Sequence, residues 1–209
     1  MNTRNKNIKP SKFVLPKKNN VSSYEYELSG NIRNIIQHLG EDANREGLVK
    51  TPERYAKALL YLTSGYRNEK SVLEDCANAI FDEKVTSVVA VNNIEFHSLC
   101  EHHLLPFYGH VSIAFLPDKN GKILGLSKFA RLVDVYSRRL QVQERLIQDI
   151  MSATWKLLKP QGIAIRIEAQ HMCMMIRGVE KQFSKTATYS YRGQSKFEQT
   201  IKGELKYEK

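Results

Sequence analysis

The densest cluster of side chains that can bind metals or exchange protons is the run Cys100-Glu101-His102-His103. Cys100 and His103 form a C-x2-H pair, a spacing that can place a thiolate and an imidazole on one metal ion. A second pair of this kind would complete a structural tetrahedral zinc site, and the sequence has none. If the pair binds a metal, any further ligand must therefore come from another part of the chain.

A second imidazole and thiol occur in His171-Met172-Cys173, at the end of a strand predicted over 162–173. Alternate residues of a strand share a face, so His171 and Cys173 would end one row of side chains. The rest of that row is apolar and consists of Ile163, Ile165, Ile167 and Ala169. Either residue alone would be interpreted as a satisfied buried side chain. Together with the C-x2-H pair, they indicate a metal site.

Cys100, His103 and Cys173 would give a metal ion three protein ligands and an open fourth position. Three ligands plus a water is the arrangement of catalytic zinc, whereas four protein ligands would indicate structural zinc. Zinc lowers the pKa of a bound water towards neutrality and so makes that water a nucleophile. His102 and His171 would then be further imidazoles near the metal, suited to proton transfer near pH 7.

Lys128 and Arg131 lie near the start of a helix predicted to begin at Ser127. Cations are disfavoured there because the helix dipole is already positive, so the arrangement suits a bound anion. A basic turn that faces solvent explains the same two residues equally well. If the strand continues past Cys173, Arg177 lies on the same face as Cys173 and could reach the same pocket.

Gln143-Glu144 opens the next predicted helix, over about 142–158. An acid at this position is expected from the helix dipole alone, which is the simpler explanation. A carboxylate is also the right partner for the adjacent N–H donors on the Watson–Crick edge of guanine. A buried site of that type would discriminate strongly against bases that lack those donors.

The elements that must position these residues fall into a helical first part and a β-rich second part. Three helices are predicted in the first part, one ending before Gly40, one from Thr51-Pro52 to Gly65 and one over about 71–79. Strands are predicted near 85–96, 108–116, 162–173 and 184–191, with the two helices between the second and third. The order β-β-α-α-β-β without βαβ alternation predicts an α+β fold with an antiparallel sheet. We expect a disordered basic tail over 1–22, a helical region over 23–82 and a catalytic domain over 83–209.

The net charge of +10 over 209 residues invites a nucleic-acid interpretation, so its distribution matters. Residues 1–20 contain six of the 32 basic residues and none of the 22 acidic residues. The remainder of the chain is therefore only +4, and the basic segment is interpreted as a solvated tail. These observations argue against nucleic acid as a partner.

The cysteine content and the hydropathy of the chain indicate its cellular location. The three cysteines are odd in number and irregularly spaced, which argues against a disulfide framework and favours a reducing, cytoplasmic location. No apolar run approaches the ~20 residues that a membrane span needs. The tail has no apolar segment, so it is not interpreted as a secretory signal. Cys76 has no partner motif and is interpreted as structural.

Several runs, in the same order along the chain, resemble the GTP cyclohydrolase I family over roughly residues 24–200. In the β-rich part these runs are Phe96 to His103, Gly125 to Lys128, Gln141 to Leu146, and His171 to Cys173 followed by Arg177-Gly178. In the helical part they are Glu41-Asp42, Arg45 to Leu48 and Thr51 to Arg54. The sequence departs from the family where Tyr191-Arg192-Gly193-Gln194 replaces the usual Leu-Gly pair.

The resemblance implies the T-fold, in which a four-stranded antiparallel sheet is backed by two helices, with an additional N-terminal helical region. It implies a homodecamer, built as a dimer of pentamers, with active sites at subunit boundaries. It also implies the conversion of GTP and water to 7,8-dihydroneopterin triphosphate and formate. This reaction is the first step of tetrahydrofolate and tetrahydrobiopterin biosynthesis.

The resemblance further implies a role for each candidate site residue. By position, the ligands of Zn2+ are Cys100, His103 and Cys173, and the proton-transfer residues are His102 and His171. The triphosphate anchors are Ser127, Lys128, Arg131 and Arg177, with Arg54 as a further candidate on the phosphate side. The guanine readers are Gln143 and Glu144.

Two alternative functions are compatible with parts of the sequence. One is another T-fold enzyme, such as a pterin-processing lyase or a nitrile reductase. Such an enzyme would not need the three metal ligands, both spare histidines and the Gln-Glu pair together. The other is a zinc-dependent nucleic-acid-binding protein, against which stand the small charge outside the tail and the lack of a second ligand pair.

Overall fold

The computed structural model describes the backbone of residues 21–205 and the side chains of residues 23–205. The predicted basic tail over 1–22 lies outside these residues, except that Val21 and Ser22 begin the first helix. The chain divides into two compact units, with the boundary between Ala58 and Leu59. The predicted domain boundary at 82/83 stays a prediction.

Two helices, α1 (Val21–His38) and α2 (Thr51–Leu62), begin the described chain. The predicted end of α1 is confirmed, because Gly40 has a φ of 86°, in the left-handed region that glycine adopts at helix ends. The predicted start of α2 at Thr51 is confirmed as well. The unit boundary falls within α2.

The prediction that Gly65 closes α2 is wrong. Helix α2 ends at Leu62, and Gly65 instead begins α3 (Gly65–Ala77), which was predicted to start at about residue 71. A Cβ at this position would lie 2.0 Å from the carbonyl oxygen of Val135 and 2.8 Å from that of Arg138. The glycine is therefore explained by close backbone approach rather than by helix termination.

The second unit is built on a five-stranded sheet. After α3 come β1 (Ile80–Asp82), β2 (Val89–Cys100), β3 (Pro106–Leu116), β4 (Lys122–Leu124), α4 (Leu126–Ser137), β5 (Leu140–Gln141), α5 (Gln143–Leu158), β6 (Gly162–His171), α6 (Met172–Met175), β7 (Thr186–Gly193) and α7 (Glu198–Gly203). The sheet has the order β5-β2-β3-β6-β7, and its four long strands are antiparallel neighbours. Strands β1 and β4 form a separate two-stranded sheet. The predicted α+β class is confirmed.

The core lies between the sheet and the two helices α4 and α5. Helix α4 contacts β2, and α5 contacts β6 and β7. Its large, fully buried side chains include Phe96, Ile113, Phe115, Phe129, Leu132, Leu146, Ile147, Ile150, Ile163 and Ile165. On the other face of the sheet, a smaller apolar cluster around Ala114 of β3 and Ala164 of β6 is covered by Ile201 of α7. None of the helices within residues 21–205 has the length and apolar character needed to cross a bilayer.

The predicted strand over 162–173 stops two residues early, which corrects the parity argument for Cys173. In the register of β3 with β6, His171 lies opposite Phe107, and β3 begins only one residue before, at Pro106. Beyond His171 only Pro106 of β3 remains, and a proline has no backbone N–H to donate, so the chain turns into α6, which contains Cys173. Alternation along a strand therefore does not place Cys173 or Arg177.

We predict that replacing Gly109 by alanine destabilises the second unit. A Cβ at Gly109 would lie 1.9 Å from the carbonyl oxygen of Glu168 and 2.7 Å from the Cα of Ala169, so β3 and β6 would have to separate. Overpacking of this kind should lower the free energy of unfolding by about 3 kcal/mol, measured by urea denaturation.

Gly30→Ala is the control for this substitution. A Cβ at Gly30, inside α1, meets nothing within 4 Å, so alanine should raise stability by about 0.5–1 kcal/mol through its better helix propensity. Equal effects of the two substitutions would contradict the steric argument.

Candidate metal and active site

The structure brings the three predicted metal ligands together at one end of the five-stranded sheet. Cys100 is the last residue of β2, His103 lies in the turn that follows, and Cys173 lies in α6. Their candidate ligand atoms all lie within 4.8 Å of one another. The Sγ of Cys100 is 3.7 Å from the Nδ1 of His103. Both cysteines are buried, whereas His103 is exposed.

A tight turn between β2 and β3 places His103 beside Cys100. The carbonyl of Cys100 accepts hydrogen bonds from the backbone N–H groups of His103 (3.3 Å) and Leu104 (2.8 Å). Leu104 has a φ of 55°, so the chain reverses through a left-handed residue. The C-x2-H spacing therefore brings the two ligands together through this turn, and not through one face of a helix or strand.

An ion pair connects this turn to the start of α5. Arg145 donates a hydrogen bond from its guanidinium to the carboxylate of Glu101, and its Nε donates to the Oε1 of Gln141 at 2.9 Å. The backbone N–H of Glu101 donates to the carbonyl of Gln141 at 3.1 Å. These contacts hold the turn that contains His103 against β5 and the helix that begins at Gln143.

The donor set fits zinc, because thiolate sulfur and imidazole nitrogen are its usual protein ligands. Burial raises the pKa of the Cys173 thiol, and the neighbouring Cys100 raises it further. Two adjacent thiolates are therefore unfavourable unless a cation lies between them. Within residues 23–205, no other group of three or more His, Cys, Asp or Glu side chains converges in this way.

The two further imidazoles lie in different surroundings. His171, the last residue of β6, is half-buried and stacks on Phe107, with ring centroids 4.7 Å apart and an interplanar angle of 2°. Burial lowers the pKa of His171, and the negative charge of Glu144 partly offsets this decrease. The side chain of His102 is 64% exposed, and its Nδ1 lies 3.8 Å from the Sγ of Cys100. A neutral, fixed imidazole and an exposed one thus lie near the metal ligands.

The predicted guanine readers, Gln143 and Glu144, begin α5 and differ in exposure. Gln143 is only 1% exposed, and its Oε1 lies 2.9 Å from the Nε2 of His171. Glu144 is exposed and close enough to His171 for its charge to raise the pKa of that imidazole. Of the two, only Glu144 presents its side chain to solvent.

Arg177 lies beside the metal ligands, although the parity argument that placed it there is wrong. It follows α6, and its NH1 donates to the carbonyl of Cys173 at 3.1 Å. The same nitrogen is 3.3 Å from the Nε2 of His103. The return of the chain through α6, rather than continuation of a strand, brings Arg177 to the site.

Lys128 and Arg131 share one carboxylate, that of Asp75 on α3. The Nζ of Lys128 lies 2.8 Å from both Asp75 oxygens, and the NH1 of Arg131 lies 2.7 Å from one of them. These contacts lower the pKa of Asp75, the hydrogen bond from Lys128 contributing most. The cationic pair predicted from the sequence is thus present, and in this structure its partner is an acid of the same chain.

Ser127 and Arg54, the two other predicted triphosphate anchors, make fewer contacts that bear on the site. Ser127 is exposed and is the second residue of α4. Arg54 lies in the part of α2 that belongs to the first unit, and its role stays a prediction.

Sequence reasoning did not identify Asp75 and Phe107. Asp75 precedes Lys128 by 53 residues, so no local spacing relates them. Phe107 could be related to His171 only through the pairing of β3 with β6. The contact of Phe107 with His171 could have been predicted only if the strand register had been known. The pairing of Asp75 with Lys128 could have been predicted only from the packing of α3 on α4.

Comparison with known proteins finds one matching family, several curated relatives and a more distant solved structure. Residues 28–207 match the family model described as GTP cyclohydrolase I. GTP cyclohydrolase 1 of Saccharomyces cerevisiae is 52% identical over 162 residues, which cover 77% of this chain and 65% of that protein. GTP cyclohydrolase 1 of Leptospira biflexa is 51% identical over 174 residues, or 83% of this chain and 93% of that protein. The crystal structure of the archaeosine synthase QueF-Like in the apo form is 18% identical, with a TM-score of 0.43, and covers 53% of this chain and 98% of its own.

We predict that Asp75→Asn lowers the melting temperature at neutral pH. The pKa of Asp75 is lower in the folded chain than its ordinary value of 3.8, so the ionised carboxylate stabilises the fold above that pH. This contribution is lost as the pH falls through the lowered pKa. The difference between variant and wild type should therefore be largest near pH 7 and shrink below pH 3.8, as measured by thermal melts.

Glu74→Gln, on the same helix, is the matched control. Its carboxylate is 65% exposed and lies 3.9 Å from Lys70, a geometry in which ion pairs contribute little. Its melting temperature should equal that of the wild type at every pH. A decrease as large as that of Asp75→Asn would show that any charge removed from α3 has the same effect.

Proposed function

The chain belongs to the GTP cyclohydrolase I family, and we propose that it is a zinc-dependent hydrolase that converts GTP and water to 7,8-dihydroneopterin triphosphate and formate. The observation that carries the proposal is the convergence of Cys100, His103 and Cys173 with two further imidazoles at one end of the sheet. Three protein ligands leave a position for water, which is what a hydrolytic zinc site requires.

Zinc would be held by Cys100, His103 and Cys173, and when bound it supplies Lewis-acid activation of water for attack on C8 of the guanine. Burial lowers the pKa of His171, so its neutral imidazole can accept the proton that the attacking water loses and return it to the nitrogen that is released when the ring of the base opens. His102 is exposed and can exchange protons with solvent. The two histidines thus suit successive proton transfers in the hydrolysis that releases formate.

Glu144 is the residue that we propose reads the guanine. Its carboxylate can accept hydrogen bonds from N1–H and the 2-amino group of the base, and it lies close to His171. Binding the base at Glu144 would therefore orient it next to a proton-transfer residue. Orientation of the reacting atom contributes to the rate because it replaces a bimolecular encounter.

We propose that the triphosphate binds to three cationic residues, Lys128, Arg131 and Arg177, and also to Ser127 and Arg54. Arg177 lies next to His103, so a phosphate bound to it would lie near the metal site. Lys128 and Arg131 are paired with the exposed carboxylate of Asp75, a contact that a polyanion of higher charge can share or displace.

The proposal extends to the assembly and the cellular role. We propose a homodecamer, built from two pentameric rings with active sites at subunit boundaries, that acts in the cytoplasm at the start of tetrahydrofolate or tetrahydrobiopterin biosynthesis. The fold would be the T-fold, since four antiparallel strands backed by α4 and α5 agree with that description.

The purified, zinc-loaded protein should release formate from GTP and yield a fluorescent pterin after oxidation of the product. Cys173→Ser should reduce both zinc content and formate release by at least about 100-fold, since loss even of an outer hydrogen bond to a metal ligand often costs 10–100-fold. Zinc is measured by atomic emission, and formate by a coupled dehydrogenase assay.

Cys76→Ala is the control, because Cys76 is a buried cysteine that does not belong to the converging ligand group of the described residues. It should keep its zinc and its formate release. Absence of formate and pterin from a zinc-loaded wild type with an intact oligomer would refute the hydrolase proposal. Retention of zinc and activity by Cys173→Ser would refute the ligand set.

Glu144→Ala should reduce selectivity for GTP over inosine triphosphate, which lacks the 2-amino group. A site that pairs with this donor should favour GTP by about 10⁴-fold in kcat/KM, and removal of the carboxylate should abolish most of that ratio. The ratio is measured by formate release from each nucleotide. An unchanged ratio in the variant would show that another group reads the base.

A further inference from the structure

Gln143 is buried at the point where the first turn of α5 meets β6 and β7. Its Nε2 lies 3.2 Å from the carbonyl oxygen of Ile167 and 3.0 Å from that of Thr186. It also lies 3.2 Å from the Oγ1 of Thr188. Since the two carbonyl oxygens only accept hydrogen bonds, the NH2 end of the amide must face them. The orientation of the side-chain amide is therefore determined by its surroundings.

The opposite end of the amide is then directed at His171. The Oε1 of Gln143 lies 2.9 Å from the Nε2 of His171. An amide oxygen only accepts, so Nε2 must carry a hydrogen, and in the neutral imidazole the lone pair lies on Nδ1. The ring stack of Phe107 on His171 fixes the plane of the imidazole as well.

We propose that Gln143 is a positioning residue, which holds His171 in the Nε2–H tautomer so that Nδ1 is the atom that exchanges a proton with the substrate. The proposal rests on the proposed function for the reaction that it serves. It also assigns Gln143 a different role from the reading of guanine that the family resemblance implies. Both of its N–H groups have acceptors in the protein, and the residue is 1% exposed.

A role confined to the folding of α5 onto the sheet would require only the three contacts made by Nε2. A positioning role also requires the acceptor at Oε1. The two roles are separable. Gln143→Met keeps the length of the side chain without either function, whereas Gln143→Glu keeps an acceptor for His171 but has no N–H donor for the two carbonyls.

The first measurement is steady-state kinetics of the zinc-loaded enzyme. Gln143→Met should lower kcat for GTP by about 10²-fold with little change in KM, since a misplaced proton-transfer group affects the chemical step. Gln143→Glu should recover most of that loss. Gln148→Met is the matched control, because Gln148 is an exposed residue of the same helix that contacts β7 through Ser190, and its kinetics should be unchanged.

The second measurement does not depend on activity. Solid-state nitrogen NMR of the histidine-labelled holoenzyme, with His171→Gln used to assign the signal among the six histidines, reports which ring nitrogen of His171 carries the proton. The wild type should show a protonated Nε2 and an unprotonated Nδ1. Gln143→Met should show a mixture of tautomers, whereas Gln143→Glu, which still offers an acceptor, should again show a protonated Nε2.

Several results would overturn the proposal. One is a proton on Nδ1 of His171 in the wild type, and another is an unchanged kcat in Gln143→Met. An increased KM with loss of GTP selectivity and unchanged kcat would assign Gln143 to base recognition instead. If Gln143→Met does not fold, the wild-type tautomer and the kinetics of Gln143→Glu decide. Failure of the wild type to release formate would refute the proposed function, whereas the NMR result would still test the contact with Gln143.

Discussion

The register of β3 with its two neighbours determines where the candidate metal ligands and the proposed proton-transfer residue His171 are located. Leu99 of β2 lies opposite Pro106, and His171 of β6 lies opposite Phe107, so both neighbours end where β3 begins. The C-x2-H turn leaves one side of this end, and the turn into α6 leaves the other. A shift of either register by one residue would turn the terminal side chains to the opposite face and separate the ligands.

Two polar contacts between distant elements complete the site, and their burial makes them behave differently. Gln143 is almost fully buried, so its amide must keep its partners, because an unsatisfied buried group costs about 1–3 kcal/mol. The carboxylate of Asp75 is 38% exposed, so solvent and other anions can reach its contacts with Lys128 and Arg131, although these contacts stabilise the fold. The first contact is suited to holding His171, the proposed proton-transfer residue, and the second to exchanging one anion for another.

The sequence predicts best what depends on local pattern. The start of α2, the end of α1, the α+β class and the proximity of Cys100 to His103 follow from capping residues, helical periodicity and a short motif. Cys173 lies beside this pair, although the strand alternation that predicted its position does not reach it. The end of β6 and the role of Gly65 could not be predicted, because each depends on what lies opposite in the folded chain. The pairing of Asp75 with Lys128 has the same origin, since it depends on how α3 packs on α4.

The departure from the family pattern at Tyr191 to Gln194 is accommodated away from the site. Gly193 lies opposite Gly162, and a Cβ on Gly193 would lie 2.4 Å from the Cα of Gly162, so the two strands approach closely there. The hydroxyl of Tyr191 donates to the carbonyl of Gln194 at 2.7 Å, which closes the turn after β7. Gly162 begins β6 and His171 ends it, a separation of about 30 Å at 3.3 Å per residue. The altered segment faces α7, where the Nζ of Lys202 lies 5.9 Å from the ring centroid of Tyr191, while the geometry of His171, Gln143 and the candidate metal ligands depends on the opposite end of the sheet.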